Sequence, residues 1–310
     1  ILIGEVGWPS AGRMRRGALP SPSDQAQVLT DVLTRGKQEH FRANLIEAFD
    51  QPWKRALEGT VGGHWGLFDD AKRARKFTWG EPVSNHPQWP WQAAGGVILA
   101  AAVFAAAGAG RRRRGAAEKD APGAWQWAAV TLSAVVAGVL IGWTFEAVPV
   151  ESLGFGGWLR SLAFATLAVA IPIAGAAALT RPTATPTFAQ LLGPREGRTR
   201  DPMAQVLGVL LIALTVVAVQ AALALSFDPR YRDFPFAPLT AAALPFVLIG
   251  SKASYPAPRP LAERLSGVVL VLCAAFVVWN ETLANWQALW FAGALGLLAF
   301  SLLRARAAPG

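Results

Sequence analysis

Seven apolar runs dominate this chain, at approximately residues 91–109, 125–145, 158–179, 203–226, 235–250, 265–283 and 285–303. Each comes near the ~20 residues that a helix needs to cross a hydrocarbon core. Their centres hold no carboxylate, lysine or arginine. Helices apolar all round must be buried in protein or lipid, so the pattern predicts a mainly α, polytopic membrane helical bundle of about seven spans. The fifth run is short and holds Pro238 and Pro245. Proline is tolerated in such a helix where neighbours cover the freed carbonyls. A six-span arrangement, with that run re-entrant, is the alternative.

The loops orient the bundle. Arg111–Arg114 and Lys119, then Arg181, Arg195, Arg198 and Arg200, then Lys252, Arg259 and Arg264, and finally Arg304 and Arg306 follow alternate runs. The opposite loops offer only Arg160, Arg230 and Arg232. Basic loops stay in the cytoplasm, which predicts residues 1–90 outside a plasma membrane and the C-terminus inside. A net charge of +9 therefore reflects anchoring rather than nucleic-acid binding, since the arginine run abuts a span. Trp89, Trp91, Trp125, Trp143, Trp158, Trp286 and Trp290 sit near run ends, as interfacial belts require. Gln220 reads as a helix-packing contact, and Asn280, Glu281 and Asn285 as interfacial solvation. Cys273 is the one cysteine, and His40, His64 and His86 lack ligand spacing, so neither metal nor other cofactor is expected.

Residues 1–80 have different chemistry. Ile1–Ile3 reads as a buried parallel strand ended by Gly4, with Glu5 at its C-terminal end. Ser23-Asp24-Gln25-Ala26-Gln27 reads as an N-cap and first turn of a helix running to about Lys37. Asn44–Phe49 reads as the next strand, followed by Asp50-Gln51-Pro52-Trp53-Lys54. Strand, helix, strand, with polar groups after both strands, is the layout of a (β/α)8 barrel, whose chemistry sits on that face.

GEVGWPSAG resembles the nucleophile strand of the family 17 glycoside hydrolases, the β-1,3-glucanase family. The likeness continues through SDQAQ, NLIEAFDQPWK and GGHWGLFDDAKRARKFTW, and covers about residues 1–80. DQPWK, and DPRYRDFPFAP between later runs, look like the bacterial membrane-bound branch associated with β-1,3- and β-1,6-glucan synthesis and remodelling. The resemblance implies a 1–80 barrel fragment, an 81–90 linker, a 91–303 membrane domain and a 304–310 cytoplasmic tail. It implies a bacterial inner-membrane location, a β-glucan substrate and a partnership with a glucan synthase.

Carried onto this sequence, the resemblance makes Glu5 the catalytic nucleophile. Trp8 either shapes the sugar site or packs at the barrel rim. Asp50, Gln51, Trp53 and Lys54 occupy the loop that contacts sugar in relatives, and Glu58 matches a further acidic position. Glu47 is open between an inward and an outward carboxylate, and His64 and Trp65 are expected to close the barrel. The implied mechanism is retaining, with two carboxyl groups about 5–5.5 Å apart. The acid/base partner belongs to an earlier strand that this sequence does not contain. The chain starts at Ile1 without a methionine, so it is expected to be a processed product or a fragment, and inactive alone. The rival reading is a glucan-export or synthase-partner module without catalysis of its own. No Asp-x-Asp or Gln-x-x-Arg-Trp motif accompanies it.

Overall fold

The computed structural model describes residues 1–113, 121–181, 183–228, 231–251 and 259–304. Arg114, Lys119, Arg230, Lys252 and Arg306, used above to orient the chain, lie outside the described residues. The fold is mainly helical, 69% by residue, with a small two-stranded sheet.

β1 (Leu2–Val6) and β2 (Arg42–Leu45) pair in parallel, Leu2 opposite Arg42 and Val6 opposite Leu45. The crossover between them is α1 (Pro22–Gln38). Its N-cap is Ser21, two residues before the expected Ser23, with Pro22 in the first turn. Proline suits that turn because its missing N–H has no partner there anyway. The Ser21 hydroxyl takes the Asp24 amide at 3.1 Å.

Two expectations about the strands are corrected. Ile1 and Leu2 are exposed rather than buried, because nothing packs against that part of the sheet among the described residues. The second strand starts at Arg42, earlier than expected, and its bonding to β1 ends with the Ile46 N–H donating to Val6 O at 2.8 Å. Beyond it the chain changes partner. Glu47 N–H donates to Trp65 O at 3.1 Å, Leu67 N–H to Glu47 O at 2.8 Å, and Asp50 N–H to Phe68 O at 3.0 Å. Gly66 lies so close to this segment that a Cβ there would collide with the Asp50 amide. A short helix, α2 (Arg55–Glu58), follows. The described strands form no barrel.

The remainder is a bundle of α3 (Trp89–Arg113), α4 (Ala124–Glu151), α5 (Gly154–Leu179), the short α6 (Phe188–Leu192), α7 (Pro202–Phe227), α8 (Phe236–Gly250), α9 (Leu261–Glu281) and α10 (Trp286–Leu303). Six of these, α3, α4, α5, α7, α9 and α10, are long and apolar enough to cross a membrane, which points to a multi-pass membrane protein. Outward-facing Val97, Ile98, Val139, Phe155, Val216 and Leu272 are exposed, a surface suited to lipid. The fifth run is the exception. α8 has 15 residues, about 22 Å at 1.5 Å per residue, and is the most enclosed helix, packed on α4, α5 and α10. Pro245 fits because Gly175 of α5 faces it, where a Cβ would come 2.8 Å from Pro245 Cβ. α8 nonetheless runs from one end of the bundle toward the other. Phe236 meets Trp143 and Trp286 at one end, and the Ser251 carbonyl takes the Arg304 guanidinium at 3.0 Å at the far end.

Residues 1–80 sit on the first of these ends. Arg13 is ion-paired with Glu281, and its guanidinium lies 4.5 Å over Phe234. Met14 N–H donates to Gln287 Oε1 at 2.7 Å, and Asn285 Nδ2 donates to Met14 O at 2.8 Å. Arg55 reaches the Val150 and Ser152 carbonyls at 2.6 and 3.0 Å, and Thr60 donates to Asp233 at 2.6 Å. Glu281 and Asn285 are therefore buried docking groups rather than interfacial solvation, because Arg13 and Met14 cover them. Asn280 stays exposed.

Candidate active site

Glu5 lies near the C-terminal end of β1 and is exposed. The chain leaving the second strand turns through a single 3-10 turn, Pro52–Lys54, and directly into α2. That tight turn keeps Gln51, Trp53, Lys54 and Glu58 within one short segment. The Lys54 ammonium is ion-paired with Glu47. The hydrogen bond it donates to Glu47 is the main reason its pKa is raised; burial opposes this, and the negative charges of Glu47, Glu58 and Glu5 add smaller upward pushes. One lysine thus feels three carboxylates at once. Trp53 stands beside it, 63% exposed, its indole N–H held by Gln51 Oε1 at 2.9 Å and its ring 5.8 Å from the Lys54 nitrogen. An aromatic face next to amide and charged groups suits a sugar, whose faces are apolar and whose edges are hydroxyls.

Glu47, which the sequence left open, belongs to this group. Its Oε1 holds Lys54, and its Oε2 is buried without a partner among the described residues.

Asp50 and Trp8 lie apart from the group. Asp50 is 5% exposed, and its carboxylate accepts the Gly66 amide at 2.9 Å and the Lys76 ammonium at 2.6 Å, with His64 Nδ1 at 3.6 Å. Burial pushes this carboxyl up, but the bonds from His64 and Lys76 together outweigh it and hold the pKa below its usual range. For Lys76 burial wins, so its ammonium sits below the usual lysine range despite Asp50. Trp8 is half-buried; its indole N–H donates to Leu19 O at 2.9 Å and its carbonyl accepts from Gln25 at 2.8 Å. It braces the loop that follows Glu5.

Gln25 is the residue that sequence reasoning missed. It is fully buried and its amide also reaches the Trp65 and Gly66 carbonyls, at 3.3 and 3.2 Å. The signal was present: Gln25 lies four residues before Leu29, so it shares the buried face of α1.

Asp50 carries a stability prediction with a definite pH sign. Its folded pKa is depressed, so its contribution is present above the unfolded value near 3.8 and is lost as pH falls through the lower folded value. Asp50→Ala strands the buried Lys76 and should cost about 3 kcal/mol locally. Amide exchange at residues 64–68 reports both effects. Protection should fall in the variant at neutral pH, and in the native chain only in acid.

No protein-family model matches the sequence, and no solved structure does. A search of curated proteins finds similarity to a glucan 1,3-beta-glucosidase of Saccharomyces cerevisiae, 32% identical over 68 residues. The match covers 21% of this chain and 22% of that relative, so the chain spans about a fifth of the curated protein it resembles. The similarity indicates a glucan-active glycoside hydrolase at most.

Proposed function

We propose that this chain is the C-terminal part of a membrane-anchored, retaining β-1,3-glucan glycosidase or transglycosylase of the family 17 type, working in β-1,3/β-1,6-glucan synthesis or remodelling. One observation carries the reading: Glu5 stands exposed near the C-terminal end of a parallel strand, and the loop after the partner strand carries the Lys54–Glu47 ion pair beside an exposed tryptophan. The similarity to a glucan 1,3-beta-glucosidase supports the substrate class. Residues 1–80 then form the last part of a (β/α)8 barrel, completed by upstream strands that supply the acid.

In the first step a Glu5 carboxylate oxygen bonds to the anomeric carbon. The glycosidic oxygen departs with that bond's electron pair and takes a proton from the upstream acid. In the second, water or a sugar hydroxyl attacks the same anomeric carbon and gives its proton back to that group, while the bond from that carbon to Glu5 breaks and its electron pair returns to the carboxylate. Trp53 stacks on a sugar face, and Lys54 holds the carboxylates in place while Gln51 fixes the tryptophan. A sugar acceptor makes the outcome transglycosylation.

The bundle crosses the bacterial inner membrane seven times, α8 included, with residues 1–80 on the outer side and the C-terminus in the cytoplasm. The basic loops of the far end support that orientation, as does the path of α8 between the two ends.

The test is covalent trapping. A 2-deoxy-2-fluoro laminaribiosyl fluoride, incubated with the full-length protein, should leave a fluoroglycosyl ester on the peptide that contains Glu5, read by mass spectrometry. An intact Glu5 peptide after prolonged incubation would refute the assignment.

A further inference from the structure

Between residues 1–80 and the end of the bundle lies a cavity of about 560 Å³, well within the range of sites that enclose a small ligand. Its walls are unlike each other. On the bundle side stand Trp143, Trp286 and Phe236. The two indoles are stacked at 6.1 Å and Phe236 meets both edge-on, at 5.7 and 5.6 Å. On the other side stand Arg13, Asp50 and His64. Arg13 is 7% exposed, and its Nε, like His64 Nε2, is enclosed without a partner among the described residues. Ser10, Lys76 and Asn85 also line this side, so the cavity offers one occupant apolar faces on one wall and hydrogen-bonding side chains on the other.

Aromatic rings opposite hydrogen-bonding side chains are the chemistry of a pyranose ring, with C–H faces for the indoles and hydroxyl edges for the polar wall. Glu5, Trp53 and Lys54 are absent from the walls of this cavity. We infer that the cavity between residues 1–80 and the bundle is a second glucan-binding site, separate from the Glu5 cluster, in which the membrane helices themselves hold a short β-glucan segment. The inference rests on the glucan reading above and gives the bundle a part in substrate recognition. Asp50, expected at the catalytic loop, belongs to this second site through its grip on His64.

The test uses full-length protein in lipid nanodiscs, with laminaritriose as the probe and binding measured by calorimetry. Ala147 of α4 and Ser161 of α5 line the cavity and are half-buried. Ala147→Trp and Ser161→Phe each fill it and should weaken binding at least about tenfold. If both bind as the native protein does, the inference falls. If Trp53→Ala alone weakens binding, the inference falls while the glucan reading stands. If no laminaritriose binds and Glu5 takes no fluoro-sugar, both fall. Ala147→Cys guards against misfolding of the filled variants. Cys273, the chain's one cysteine, is buried, so a thiol reagent reports on position 147. Laminaritriose should slow that labelling at least about fivefold; an unchanged rate overturns the proposal.

Discussion

Glu5→Gln in the full-length protein should cut turnover of laminarin-type glucan by on the order of 10⁴-fold or more, the scale on which a missing nucleophile is felt. Glutamine keeps the shape of the side chain and its exposed place near the end of β1, so folding and membrane insertion should be unchanged. Its neutral amide cannot form the ester. Glu5→Ala separates chemistry from structure further. It leaves room for azide, which should attack an activated aryl β-glucoside from the vacated side and give the α-glycosyl azide. Turnover of the Gln variant within tenfold of native would remove Glu5 from the mechanism. Loss of turnover with no azide product would make it a positioning group for Lys54 instead.

The second large effect is expected at the seat between the two parts of the chain. Arg13 and Glu281 are 7% and 4% exposed, and Arg13 also donates to the Arg232 carbonyl at 3.3 Å. Arg13→Ala leaves the Glu281 carboxylate without its cation, and such a loss typically costs 3–5 kcal/mol. Residues 1–80 should then lift from the bundle, seen as faster proteolysis between residues 80 and 90 and as lost protection of the Met14 amide. The double change Arg13→Met, Glu281→Leu should recover most of the seat, because two apolar groups can replace a buried pair. Undiminished protection in Arg13→Ala would mean that the Asn285 and Gln287 bonds hold the seat by themselves.

Much of this architecture was legible in the residues. The helices were written in runs whose only route to stability is burial on all sides, and α1 was announced by Ser23-Asp24-Gln25, two residues after its actual cap at Ser21. What could not be read was anything depending on distant partners. Arg13 and Glu281 are 268 positions apart, so Glu281 looked like a solvated group at a run end. The change of partner after Ile46 was equally hidden, since the apolar pattern of Asn44–Phe49 is the same whether it pairs with β1 or with Trp65–Phe68. Within the candidate site, the turn Pro52–Lys54 was visible from its proline. The rotation of Asp50 away from Trp53 and Lys54 was not, because it is set by Gly66, His64 and Lys76 from a later segment.

The seat has a further consequence. Its anchoring points come from the connections around α4, α7 and α9, which are spread over the whole end of the bundle. A platform fastened at several separated corners cannot swivel. On the glucan reading proposed above, Glu5 is thereby kept at one altitude over the lipid, so a polymer must travel to it, and strands emerging close by have the advantage over those already far away.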